Sequence, residues 1–130
     1  MALDLLAYFG AARSAVSVQA GIVLFSEGEP GKNLFVIIEG EVSVLVGGRV
    51  VEVAGPGSVV GEMAMVDSSA RSATVVTRTV CRVISIDKKQ FDALLREFPQ
   101  FGRHVMTVMA DRLRRMNDLM AKRLQPPVRR

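Results

Sequence analysis

Between residues 16 and 86 the chain passes through eight short β-type stretches cut by glycine and polar turns: 16–18, 22–25, 34–38, 41–46, 49–53, 59–60, 73–77 and 80–86. Turn signals recurring roughly every 8–12 residues exclude alternating βα units and leave a sandwich or a jelly roll. After Ile86 the apolar period changes from two to that of a helix. A chain of this pattern is mainly β, with helices added at its ends.

The central hairpin offers an internal check. Gly47-Gly48 suits a two-residue primed turn, which needs positive φ at both positions. That turn pairs Val46 with Arg49, Val44 with Val51 and Val42 with Val53. Strand alternation then puts those four last-named valines on one face, with Ser43 and Glu52 paired on the other. Upstream, Glu29-Pro30-Gly31 forms a tight turn, and the strand after it is expected to be buried on both faces. Leu3, Leu6 and Phe9 recur at near-helical spacing, predicting one or two helical turns over 2–14. Downstream, Asp87 and Gln90 have capping-box spacing, and Phe91, Leu94, Leu95 and Phe98 form an apolar face. Pro99 breaks that helix and can begin the next. The last helix is predicted over about 100–125, with Phe101, Val105, Val108, Met109, Met116 and Met120 along its stripe. It is longer than a compact roll covers, so its far end is frayed or paired with a second chain.

One stretch stands apart chemically. Residues 61–74 open on a glycine and a carboxylate, cross a short apolar turn, and end on Arg71 and a hydroxyl. A lone carboxylate and a lone arginine in an apolar setting are expensive to bury without partners. One reading pairs Glu62 with Arg71, or leaves both in solvent. The other makes the stretch a site for a small anion. There Arg71 grips a phosphate through two hydrogen bonds, Ser72 adds a hydroxyl donor, and backbone N–H groups form an anion nest. Glu62, acceptor-only when ionised, then suits a sugar hydroxyl.

That arrangement resembles the phosphate-binding cassette of cyclic nucleotide-binding domains: Gly-Glu-apolar-Ala, a variable turn, then Arg-Ser/Thr-Ala-Thr/Ser. Gly61, Glu62, Met63 and Ala64 fill the first half; Arg71, Ser72, Ala73 and Thr74 fill the second. Many members carry proline just before the arginine, where this chain has Ala70. Gly28, Gly31 and the apolar run 34–37 ending at Gly40 resemble the first half of the family's β-roll. Phe25 departs from it, since a smaller aliphatic is commoner there. Together these features and their surroundings cover about residues 16–124.

The resemblance implies a jelly-roll β-barrel, or double-stranded β-helix, in one domain over 1–130. A short helical segment (1–15) precedes the roll (16–86), and two C-terminal helices (87–125) follow it. It also implies a cyclic nucleotide ligand, cAMP rather than cGMP, because threonine at the position of Ser72 is the family's usual mark of guanine preference. Arg71, Ser72 and backbone N–H groups near Ala64 and Ala73 would hold the phosphate. Glu62 would accept from the ribose, and Gly61 would permit close approach. Val59, Met63 and Thr74 are expected as walls for the base. Arg112, about three and a half turns beyond Pro99, is expected to cover it. Binding would reposition the last helices.

Composition narrows the field further. The single cysteine, Cys81, excludes an internal disulfide framework, fits a reducing cytoplasm, and reads as a small core residue. The N-terminus carries an acid and no basic leader, and no apolar run nears the roughly 20 residues of a membrane span. Charge is uneven: residues 1–102 carry a net −2 and residues 103–130 a net +6. That basic tail lacks interleaved aromatics or a helix-turn-helix, so no direct nucleic-acid contact is expected. The lone His104, taken as a surface residue, rules out a His-rich metal site. Neither a Walker loop nor a dinucleotide fingerprint is complete, and no catalytic constellation or cofactor site is found. The sequence therefore reads as a cytoplasmic cyclic nucleotide sensor with an unknown downstream protein and a possible homodimer through its last helix. Two alternatives stay open: a regulatory fragment of a channel or transcription regulator, and a ligand-free dimerisation module.

Overall fold

The computed structural model describes residues 15–67 and 69–124. The helical turns expected over 2–14 lie outside the described residues. Eight strands follow in order: β1 (Val16–Val18), β2 (Val23–Phe25), β3 (Asn33–Glu39), β4 (Val42–Val46), β5 (Arg49–Ala54), β6 (Val59–Val60), β7 (Thr74–Thr77) and β8 (Cys81–Asp87). A short helix, α1 (Met63–Asp67), interrupts them, and α2 (Lys88–Glu97) and α3 (Pro99–Leu124) close the described chain. The strands form two four-stranded antiparallel sheets, ordered β1-β8-β3-β6 and β2-β7-β4-β5. This is the expected mainly-β roll with flanking helices.

Strand β3 explains why its sequence is apolar without alternation. Leu34, Val36 and Ile38 face a layer shared with Ile84, Ile86, Phe101 and Val105. Ile37 faces the other way, into the roll, beside Phe25, Val42, Val44, Val60 and Val75. One sheet thus separates two cores, so both faces of its central strand need hydrophobic side chains. Cys81 is fully buried in the second core, as its apolar surroundings predict.

The helices dock on the outer core for local reasons. Asp87 accepts from the Gln90 backbone N–H at 2.8 Å while the Gln90 side chain accepts from the Asp87 N–H at 2.9 Å. Such a capping box is typically worth about 1 kcal/mol. The Phe98 N–H donates to the Leu94 carbonyl at 2.7 Å and ends α2, and Pro99 opens α3. The rings of Phe91 and Phe101 meet edge-on at 5.8 Å, joining α2 to α3. His104 is not the surface residue expected. It is half-buried, with Nε2 against the carbonyl of Gly57, which ties the start of α3 to the turn before β6.

The hairpin departs from expectation in one decisive place. Gly47 and Gly48 have φ of 58° and 79°, as a primed turn requires, and Val46 pairs with Arg49. Beyond Leu45–Val50, however, the register shifts: Val44 pairs with Glu52, Ser43 with Val53 and Val42 with Ala54. Val51 is an extra residue, a β-bulge, and it reverses the facing of the rest of β5. Val51 and Val53 are 44% and 43% exposed, while Ala54 is 3% exposed beside Val42. Glu52, placed by alternation on the face opposite Val42 and Val44, instead shares their face and turns inward.

Candidate functional site

Residues 61–74 wrap one end of the roll, and two glycines shape the wrap. Gly61 has φ of 80°, and a Cβ there would lie 2.6 Å from the nearer terminal nitrogen of Arg71, Nη1. At Gly31 a Cβ would come within 2.8 Å of the Ala64 Cβ and 3.2 Å of Arg71 Nε. Both positions therefore make room for the same arginine. Its backbone is clipped to the 28–31 turn: the Arg71 N–H donates to the Glu29 carbonyl at 2.8 Å, and its own carbonyl accepts from Gly28 at 2.9 Å. A bridge between Pro30 and Ala70 extends that clip.

The Arg71 guanidinium is buried over the Phe25 ring, 4.0 Å from its centroid. Nη1 donates to the Gly61 carbonyl at 3.3 Å, while the buried Nε has no hydrogen-bond partner. Burial lowers the pKa of Arg71, and the nearby charges of Glu29 and Glu62 oppose that shift without overcoming it. A desolvated cation with an unused donor is costly to keep, and such groups call for an explanation.

Arg71 lines a cavity of about 580 Å³. Phe25, Val44, Val60 and Val75 supply apolar wall from the inside of the roll, and the cassette supplies one side. From α3 come Arg112, Arg115, Met116, Leu119 and Met120. Most of the lining is apolar, with a few convergent charged and hydroxyl groups, the usual make-up of a small-molecule site.

Glu62 is not paired with Arg71. Both its oxygens accept from Arg112 Nη1 at 3.1 Å. Arg112 also donates from Nε to Glu52 Oε1 at 2.6 Å, and from Nη2 to Glu52 Oε2 at 3.2 Å and to the Val59 carbonyl at 3.1 Å. The three side chains are largely buried, at 19% exposure for Arg112, 11% for Glu52 and 8% for Glu62. Burial alone would lower the pKa of Arg112. The hydrogen bond to Glu52 and the charges of Glu62 and Glu52 outweigh it and raise the value, so Arg112 stays charged. Arg115 adds a 3.2 Å contact to Glu52 Oε2 from a half-exposed position.

Of the residues singled out from sequence, Gly61, Glu62, Met63, Ala64, Arg71, Ser72, Ala73 and Arg112 meet around this cavity. Val59 and Thr74, expected as walls, do not line this cavity. The Val59 side chain is fully buried on the opposite side of β6, in the layer facing α3, and Val60 lines the cavity instead. Thr74 Oγ1 accepts from the Glu27 N–H at 2.9 Å and braces the turn. Sequence reasoning missed Glu52, since the signal for its inward turn lies on α3. It also missed Val60, whose facing depends on β6 register. Among the described residues, no group of three His, Cys, Asp or Glu could hold a metal ion. No helix among them is long and apolar enough to cross a membrane.

The sequence profile of the cyclic nucleotide-binding domain matches residues 15–98. The chain belongs to that family. It is 32% identical over 111 residues to a CRP-like cAMP-activated global transcriptional regulator of Mycobacterium tuberculosis, covering 82% of this chain and 50% of the regulator. It is 36% identical over 112 residues to mouse potassium/sodium hyperpolarization-activated cyclic nucleotide-gated channel 3, covering 83% of this chain and 14% of the channel. The Thermus thermophilus catabolite activator protein superposes with a TM-score of 0.71 at 26% identity, over 95% of this chain and 58% of that one. This cyclic nucleotide-binding domain thus spans half of the regulator's length and 14% of the channel's.

Proposed function

We propose that this domain binds cAMP in the cavity beside Arg71 and transmits binding through α3. The observation that carries the proposal is the state of Arg71. It is a buried cation with an unpartnered Nε, held on the cavity wall next to a carboxylate. A cyclic phosphate is a monoanion that would neutralise it and accept its donors. Ser72 and backbone N–H groups near Ala64 and Ala73 add donors to the phosphate, and Glu62 accepts from the ribose 2′-hydroxyl. Met63 borders the base. Arg112 covers it: its hydrogen bonds all leave from the edges of the guanidinium, and the planar face is what a purine stacks on.

Calorimetric titration with cAMP and cGMP, on wild type and Arg71→Ala, tests this. Removing one partner of a buried charged hydrogen bond costs about 2–5 kcal/mol, or roughly 30- to 3,000-fold in affinity. Equal cAMP affinity in a folded Arg71→Ala protein ends the phosphate assignment.

The span of the chain against its relatives favours a second reading at the level of the whole protein, in which this domain is the sensing part of a larger transcription regulator or channel. The gene sequence on either side of these residues decides that. Exposed Met106 and Leu113 on α3 suit a helix partner, including a second copy of the chain, which sedimentation velocity or a concentration-dependent mass in light scattering would report.

A further inference from the structure

The geometry points to Glu52 as the residue that positions Arg112, holding α3 against the roll whether or not Glu62 is engaged by a ligand. The division of donors carries the argument. Arg112 gives Glu62 only one of its nitrogens, Nη1, and gives Glu52 two, Nε at 2.6 Å and Nη2 at 3.2 Å. A fork of two parallel N–H···O bonds fixes a guanidinium in plane and direction, as a single nitrogen cannot. A sugar hydroxyl that takes an oxygen of Glu62 therefore leaves Arg112 seated on Glu52 and on the Val59 carbonyl.

Glu52 also holds a second residue of the same helix, Arg115. Residues three apart on a helix share a face, so one carboxylate grips α3 at two neighbouring points. Glu52 can do so because the extra residue Val51 turns it inward, opposite Val44 on the floor of the cavity. Without that bulge the carboxylate would point to solvent, and Arg112 would keep only Glu62 and the Val59 carbonyl. The consequence is regulatory. Any ligand acting through Glu62 works against a helix already anchored by β5, so Glu52 sets how far α3 responds.

This inference rests on the proposed ligand only for its second arm, and the first arm is read without one. Glu52→Gln keeps the shape of the side chain and removes its charge. Amide exchange across residues 106–120 should then quicken roughly tenfold, the loss of one charge-assisted hydrogen bond, while the sheet amides that open locally without α3 should not. Unaltered exchange in 106–120 overturns the assignment. In the second arm, adding cAMP should protect the helix more in Glu52→Gln than in wild type, because the ligand then does work that Glu52 otherwise does. A purely structural role would lower protection equally with and without nucleotide, and that result also overturns it. If Glu52→Gln fails to fold, Arg115→Gln removes the half-exposed arm of the same grip and carries both measurements with the same outcomes. Failure of wild type to bind cAMP sinks the ligand reading and leaves the first arm intact.

Discussion

The guanidinium carbon of Arg71 lies 4.0 Å from the centroid of the Phe25 ring, and that ring stacks in turn on Phe35. Phe25 occupies a position where the family more often has a smaller aliphatic, and its ring here does what an aliphatic cannot. Its negative face offsets part of the desolvation of a cation that has an unused donor. Phe25→Leu should therefore keep the fold and weaken cAMP binding by roughly 0.5–2 kcal/mol, or about 2- to 30-fold. Calorimetry on a variant shown to be folded by circular dichroism checks this. Unchanged affinity would mean that the Gly61 carbonyl and the 28–31 turn hold Arg71 without the ring.

Gly61 makes a sharper demand on the same arginine. Its φ of 80° would place a side chain in the left-handed region, which costs about 1–2 kcal/mol for a residue other than glycine. The added Cβ would also sit 2.6 Å from Arg71 Nη1 and 3.1 Å from the Asn33 carbonyl oxygen. Gly61→Ala should lower the melting temperature by several degrees and weaken cAMP, because Arg71 is the part that can yield. Gly55→Ala is the matched control, with no neighbour within 4 Å of the new methyl, and should do neither. Equal melting temperatures for the two variants would contradict the account.

The cassette was legible because its parts lie close along the chain. Gly61, Glu62, Arg71 and Ser72 fall within one short stretch whose spacing is itself the chemistry, and the fold brings them to one cavity. The capping box at Asp87 and the primed turn at Gly47-Gly48 are local in the same sense. The facing of β5 was not legible. Alternation favoured Val51 and Val53 inside, yet the inward place goes to Glu52, whose Arg112 partner is 60 residues away. A bulge leaves no mark in a run of valines. Val59 was misplaced for a related reason, since a two-residue strand such as β6 has too little alternation to show which side meets the helices; Thr74 opens β7, and its hydroxyl is taken up by the Glu27 N–H, a partner 47 residues away.

Under the proposed function, nucleotide choice turns on Ser72. It is exposed, and its Oγ makes only a weak 3.8 Å contact to Met63 Sδ, so an added methyl has room. Wild type should favour cAMP over cGMP by about 1–2 kcal/mol, near the worth of one net hydrogen bond. Ser72→Thr should leave stability unchanged and narrow or invert that preference. Competition of both nucleotides against one fluorescent analogue measures the ratio directly. An identical ratio in wild type and Ser72→Thr removes Ser72 from the selectivity.

The Arg112 cluster predicts a stability effect whose size depends on its partners. Removing Arg112 leaves Glu52 and Glu62 buried near each other, with only the half-exposed Arg115 touching Glu52. Breaking a buried pair by deleting one member typically costs about 3–5 kcal/mol, most of it the burden of the abandoned charge. Arg112→Ala should therefore unfold at markedly lower urea than wild type. Glu52→Gln in the same chain withdraws one of the stranded carboxylates, so the double variant should be more stable than the two single losses added together. Residues sharing one ion-pair network commonly show coupling of about 0.5–3 kcal/mol, and this pair belongs in the upper part of that range. Urea denaturation of wild type, both single variants and the double variant gives the coupling term. If the losses simply add, Glu52 and Arg112 act independently, and the anchoring of α3 by β5 fails with them.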